Sequence, residues 1–208
     1  MQRINLDAST PNFIGAWQLN KPTLCQDIID FFEQHRSLQK PGRSARGLNY
    51  NVKNSTDVTI KPRDLPNPSH NVLSLYLNEL LICYHDYLEQ WPFLNNMLEP
   101  IDIGEFNIQR YDSGGHFARV HSERTNLEHA HRVLAWMTYL NDVNDGGETN
   151  FVHYGLDVKP EQGKTLIWPA EWTHAHSGKA VTAGRKYIIT GWMHFPLPQI
   201  AARPSPRN

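Results

Sequence analysis

The chain has 208 residues, enough for one domain with a sizeable core or one domain carrying a helical extension, and no second domain is expected. Its formal net charge is -1, with 20 Lys and Arg against 21 Asp and Glu and no clustering of the basic residues, which argues against nucleic-acid binding or a polybasic membrane patch. No run approaches the roughly 18 apolar residues of a membrane span, and the start MQRINLDAST lacks a signal-peptide core, so a soluble, cytoplasmic protein is expected.

In chain order, an extended start leads to Thr23, placed to cap a helix reading LCQDIIDFFEQH. Leu24, Ile28 and Phe31/Phe32 form its apolar stripe. From His35 to His70 the chain is rich in Pro, Gly, Arg and Asn, and reads as loops around a hairpin with a strand at Asp57 to Ile60. A connection this long is uncommon unless it is disordered or serves as a lid over a site. Asn71 to Gln90 is the strongest helical pattern, with Leu73, Leu77, Leu80/Leu81, Tyr84 and Tyr87/Leu88 on one face and Pro92 soon after its end. Cys25 and Cys83 fall in these helical patterns without metal spacing and read as packed, reduced thiols.

Beyond Ile101 the chain changes to short runs rich in β-branched residues, separated by turn signals such as DSGG, NDGG and KPEQGK. The expected strands are Gly104 to Tyr111, His116 to Ser122, Val133 to Leu140, Thr149 to Val152, Leu156 to Val158, Thr165 to Trp168, Thr173 to His176 and Tyr187 to His194. Eight such strands suit a double-sheet jelly roll able to hold a small molecule. The fold class is therefore α+β, mainly β: a helical front over residues 1–100, a jelly-roll core over 101–195, and a tail from residue 196 expected to be disordered.

The chemistry centres on YDSGGHFARVHSE, Tyr111 to Glu123. If the strand continues to its end, His121 and Glu123 share a face, offering an imidazole and a carboxylate. A histidine from WTHAHSG, either His174 or His176, completes a 2-His-1-carboxylate triad of the kind that holds non-heme Fe(II) with open positions. A lone His-x-Glu pair is more often simply solvated. Three protein ligands leave room for a bidentate 2-oxo acid and O2. A cation for the far carboxylate of such a co-substrate is offered by Lys186 in GRKYIITGW, although a strand-end lysine is more often solvated.

The run Y-x-x-GGHF, then H-x-acid, then R-x-x-x-W-x-x-YLND-x-x-x-GGET-x-F, then VKP-x-x-G, then HSGKAVTAGRKYIITGWMH resembles the prolyl 4-hydroxylase-like branch of the Fe(II)/2-oxoglutarate dioxygenases, over Ile108 to His194. The resemblance implies a double-stranded β-helix with His121 as first metal ligand and the acid two residues on as second. It also implies a distal histidine ten residues before the 2-oxoglutarate-binding lysine, which selects His176 for Lys186. Tyr111 and Tyr139 then belong beside the co-substrate, and Thr190 and Trp192 share the strand face of Lys186. Gly146, Gly147 and Gly184 are given only turn roles. The chain departs from the pattern at Glu123, where aspartate is usual: the oxygens are the same, on one more methylene. Glu128, His129 and His131 in RTNLEHAHR are stand-in ligands should Glu123 turn away, and parity places Arg119 near substrate or near Glu123.

The expected activity is that of an Fe(II)- and 2-oxoglutarate-dependent dioxygenase, using O2 and with ascorbate as a further candidate cofactor, that hydroxylates a prolyl residue of a peptide or protein and releases succinate and CO2. The alternatives are a hydroxylase of a free amino acid or other small molecule, and a non-catalytic metal- or ligand-binding jelly roll. The stretch Arg43 to Pro62, with Arg43, Arg46, Asn49, Tyr50 and Asn51, is the candidate lid.

Overall fold

Among the described residues, two helices and fourteen strands form, the longer of them following two different periodicities in the chain. The computed structural model describes residues 1–6, 11–44, 46–98 and 100–196, so most of the tail read as disordered lies outside the described residues. Helix α1 (Pro22–Gln34) starts with proline at its first turn, and its N-cap is Lys21 without a side-chain bond, not Thr23. Proline fits there because its missing N–H has no intrahelical partner in any case. Helix α2 runs Asn71–Gln90, as its apolar spacing dictates, and buries Leu73, Tyr76, Leu80, Cys83, Tyr84, Tyr87 and Leu88. No helix among the described residues is long and apolar enough to cross a membrane.

The strands are β1 (Gln2–Arg3), β2 (Gly15–Gln18), β3 (Lys40–Pro41), β4 (Lys53–Asn54), β5 (Thr56–Ile60), β6 (Asp102–Ile103), β7 (Phe106–Tyr111), β8 (His116–His121), β9 (Arg132–Tyr139), β10 (Thr149–Phe151), β11 (Leu156–Val158), β12 (Lys164–Pro169), β13 (His176–Gly178) and β14 (Lys186–His194). Among the described residues they form a nine-stranded sheet, ordered β1-β2-β12-β9-β14-β7-β5-β3 with β6 also on β14, and a five-stranded sheet, ordered β11-β10-β13-β8-β4. This is a jelly roll. Its front half is less helical than the composition indicates, because the first 100 residues supply five strands to the two sheets. The segment read as a strand at Thr173 to His176 is a 3-10 turn at Trp172–His174 followed by β13.

Alternation along the central strands divides the core into two layers. Trp136, Ile108 and Ile189 face the helices, where they pack with Phe32, Tyr76, Leu80 and Tyr84. Met137, Tyr139 and Ile188 face the smaller sheet, packing with Tyr111, Phe151 and Trp168. Each fully buried aromatic contributes on the order of 2–3 kcal/mol of transfer free energy. The second layer lies between the two sheets, and the space left beside it is where the polar residues gather.

Candidate active site

Strands β8 and β13 are antiparallel, and His121 stands directly opposite His176 in their register. Cross-strand neighbours of this kind are close by construction, and the two rings lie 4.5 Å apart between centroids. Each ring has Nδ1 at 2.9 Å from a main-chain carbonyl, that of Arg119 for His121 and that of His174 for His176. A carbonyl can only accept, so Nδ1 carries a proton in each ring, and Nε2 presents a lone pair whenever the ring is uncharged. Both lone pairs face Oε1 of Glu123, at 3.6 Å from His121 and 3.3 Å from His176. One ligand atom from each of the three residues lies within 4.8 Å of the others. Three converging lone pairs need a cation among them, either a proton on a ring or a metal ion.

Glu123 is not on a strand, since β8 ends at His121. Its position is fixed instead by the main chain, where the N–H groups of Glu123 and Arg124 donate to the Ala170 carbonyl at 3.2 and 3.0 Å. Its other oxygen, Oε2, accepts the indole N–H of Trp192 at 2.7 Å and lies 3.9 Å from the Arg132 guanidinium. Arg132 in turn lies over the Trp192 ring, 3.6 Å from its centroid. Burial by itself would raise the Glu123 carboxyl, but the close contact with His176, the two nearby imidazoles and the hydrogen bond from the Trp192 N–H outweigh it and hold the group at about 2. Burial, with His176 alongside, pulls His121 down to about 4 against the opposing Glu123 carboxylate. At neutral pH the site is thus a carboxylate beside an uncharged His121, the protonation states a divalent cation requires.

These residues line a cavity of about 1010 Å³ between the sheets, whose wall also includes Tyr111, Lys186, Thr190 and Trp192. Lys186 is 3% exposed, not solvated at a strand end. Its Nζ donates to the Gly147 carbonyl at 2.8 Å and lies 4.6 Å from the Tyr111 ring centroid. Burial lowers it to about 8, with Glu148 pulling weakly the other way. Gly147, read from sequence as a turn residue only, therefore also supplies the acceptor for this ammonium, at a φ of 75° that favours glycine. The Tyr111 hydroxyl donates to Gln109 Oε1 at 2.7 Å, and Thr190 donates to the Trp136 carbonyl at 2.8 Å.

Tyr139 departs from its expected place. Its hydroxyl is bonded inward to Thr149 at 2.6 Å and to the Val158 carbonyl at 3.2 Å, and it is Thr149 that reaches the cavity wall. His174 lies apart from the triad, because a 3-10 turn replaces the strand expected there and turns it off the face of His176. Its Nε2 lies instead 2.7 Å from the Asn12 carbonyl. Glu128, His129 and His131 lie outside the metal-type cluster: Glu128 is exposed, His129 bonds Asn126, and His131 packs edge-on against His194. The cation beside Glu123 is Arg132, whereas Arg119 lines the cavity.

Some wall residues escape a reading of the sequence. Phe117 stacks on His121 with centroids 3.9 Å apart, and buried Lys53 pairs with Asp57 at 2.6 Å while lying 5.5 Å from the Phe117 ring centroid. The second half of the stretch read as a lid contributes β4 and β5 to the sheets. Arg43 and Arg46 line the cavity, but Asn49, Tyr50 and Asn51 are exposed and lie outside its lining.

Comparison with known proteins bears on the same region. The family described as the 2OG-Fe(II) oxygenase superfamily matches residues 106–194. Human prolyl 4-hydroxylase subunit alpha-1 is 26% identical over 105 residues, covering 43% of this chain, and the chain spans only 20% of that relative's length. A PKHD-type hydroxylase of Prochlorococcus marinus is 22% identical over 186 residues, covering 87% of this chain and 77% of the relative. Among solved structures, a prolyl hydroxylase of Trichoplax adhaerens, in complex with a hypoxia inducible factor oxygen degradation domain peptide fragment, superimposes with a TM-score of 0.67 at 15% identity, covering 88% of this chain and 84% of that one.

Proposed function

We propose that this chain, which over residues 106–194 matches the 2OG-Fe(II) oxygenase superfamily and is prolyl 4-hydroxylase-like, hydroxylates an unactivated C–H bond of a prolyl residue in a peptide or protein, releasing succinate and CO2. The observation that carries this reading is the convergence of His121, Glu123 and His176 in the same cavity as the buried Lys186. Two imidazole nitrogens and one carboxylate oxygen are the donor set that suits Fe(II) with positions left open. A structural metal site alone would have no use for a buried lysine nearby, since burying an ammonium is costly without an anion to meet it.

In this proposal His121, Glu123 and His176 hold the iron, and Lys186 receives the far carboxylate of 2-oxoglutarate. Bound there, iron would activate O2, which is the oxidant, with 2-oxoglutarate as the two-electron reductant that leaves as succinate and CO2. Trp192 and Arg132 fix Glu123 so that Oε1 faces the histidines, and the carbonyls of Arg119 and His174 fix the tautomers of the two rings. Tyr111 and Thr190 border the co-substrate, while Phe117 covers one face of His121 and limits water there. Ascorbate is the auxiliary reductant in this reading, and a cytoplasmic setting agrees with the two free buried thiols, Cys25 and Cys83.

The test is an anaerobic titration of Fe(II) and 2-oxoglutarate followed by the metal-to-ligand charge-transfer band, then succinate release with proline-containing peptides and with free amino acids. We expect the band, and turnover with peptides. Absence of the band would end the oxygenase reading, and turnover confined to free amino acids would replace the peptide.

A further inference from the structure

Among the described residues, the cavity wall carries eight Lys and Arg but only two Asp and Glu, in a protein whose net charge is -1. Both of those carboxylates are engaged, Glu123 with the histidines and Trp192, Asp57 with buried Lys53. Among the cations, Arg132 lies on Trp192, Lys186 is held by Gly147, and Lys61 is 3.7 Å from exposed Glu105. Lys40, Arg43, Arg46 and Arg119 have no carboxylate partner among the described residues. Lys40, Arg43 and Arg46 are exposed and Arg119 is half-buried, so the four mark the mouth and not the floor. They also stand on both walls, since β3 carries Lys40 at the edge of the larger sheet and β8 carries Arg119 in the smaller one.

A cleft lined by one sign of charge focuses the field and concentrates ligands of the opposite sign. The co-substrate does not account for these four groups, because its far carboxylate is matched by Lys186 alone. We infer that the substrate is an acidic peptide segment, in which Asp or Glu residues flanking the reacting residue pair with Lys40, Arg43, Arg46 and Arg119. This rests on the oxygenase reading and names the substrate class for the same site. An extended chain fits better than a small anion, since a dianion would engage two of the cations and leave the other wall unpaired. Guanidinium groups, three of the four, bind carboxylates through two parallel hydrogen bonds.

The experiment is fluorescence anisotropy of the full chain with saturating 2-oxoglutarate and Mn(II) in place of iron, so that binding is read without turnover. Three labelled peptides of equal length surround one proline with Glu, Gln or Lys. The Glu peptide is expected to bind about tenfold tighter than the Gln peptide, and the Lys peptide weakest, with the advantage shrinking as salt is added. Arg43→Gln and Arg119→Gln should each remove much of that advantage while leaving the Gln peptide unchanged, and Lys159→Gln, outside the cavity, should alter neither. Equal affinity for the Glu and Gln peptides overturns the inference. Displacement of the Glu peptide by inorganic phosphate or free glutamate at comparable concentration overturns it in favour of a small anion. Metal and 2-oxoglutarate binding, measured alongside, separates the two ideas: if it fails while the Glu preference holds, the oxygenase reading falls and the acidic ligand stands.

Discussion

The indole N–H of Trp192 donates to Oε2 of Glu123 at 2.7 Å, and this bond determines that Oε1 is the oxygen turned towards His121 and His176. Trp192→Phe keeps an aromatic surface beneath Arg132 but removes the donor. Metal affinity should fall about 10- to 100-fold, the usual cost of losing a group that orients a ligand, with little change in thermal stability. Isothermal titration with Co(II) or Mn(II) reads the first and a melting curve the second.

Glu123→Asp withdraws the carboxylate by roughly 1.5 Å, the length of one C–C bond. Because the main chain at Glu123 is held by the Ala170 carbonyl, it cannot advance to compensate. The variant should bind metal at least tenfold more weakly and lose succinate production. A faster Asp enzyme would mean instead that the natural site is impaired by its extra methylene.

His176→Ala and His174→Ala should separate cleanly. His176→Ala should abolish tight metal binding while the apo fold survives. His174→Ala leaves the Asn12 carbonyl without its ring partner, so it should lower the melting temperature and largely spare the metal. A loss of about 1–3 kcal/mol is the expected scale for an orphaned buried polar group.

As the proposed partner of the co-substrate, Lys186 should make 2-oxoglutarate binding dependent on pH in a defined direction. Only the protonated amine attracts a carboxylate, and burial has brought its pKa down to about 8. Affinity should be full below that value and decline above it, approaching about tenfold per pH unit. In the apo protein the sign reverses. The unfolded chain, with a lysine near 10.5, binds the proton more tightly than the folded one, so this group's contribution to stability rises with pH between about 8 and 10.5. Lys186→Met should therefore stabilise the apo fold at pH 7 by on the order of 1–3 kcal/mol while losing 2-oxoglutarate. If the variant melts below the wild type, the buried ammonium is not a cost to the fold.

Helix α2 was legible to the residue because twenty positions repeat one period and burial obeys it. Most strands of the β half were legible to within a residue or two, since turn residues bracket them, but β6 was missed and the strand expected at Thr173 to His176 lies at His176–Gly178. Strands such as Gly15–Gln18 and Lys53–Asn54 were not, because a two- to four-residue strand has no period of its own. It is a strand only because a partner far along the chain completes it: Thr165 opposite Trp17, and Phe117 opposite Lys53. The buried Lys53–Asp57 pair was hidden for the same reason. His121, Glu123, His176 and Lys186 were gathered in one cavity as the motif spacing implied, whereas Tyr139 fell behind the wall, since spacing along a strand does not say which neighbour a hydroxyl will choose.

Strand β14 lies at the middle of the larger sheet, bonded to β9 on one side and β7 on the other, although it is the last strand in the described chain. During synthesis from the N-terminus, β7 and β9 emerge before the strand that joins them, each with an unpaired edge. Until Lys186–His194 leaves the ribosome, β7 and β9 each keep an open edge and the lysine proposed to hold the co-substrate is missing. Such edges invite pairing with other chains. Stalled translation between residues 140 and 185 should therefore yield aggregates or chaperone-bound chains in place of a partly active enzyme.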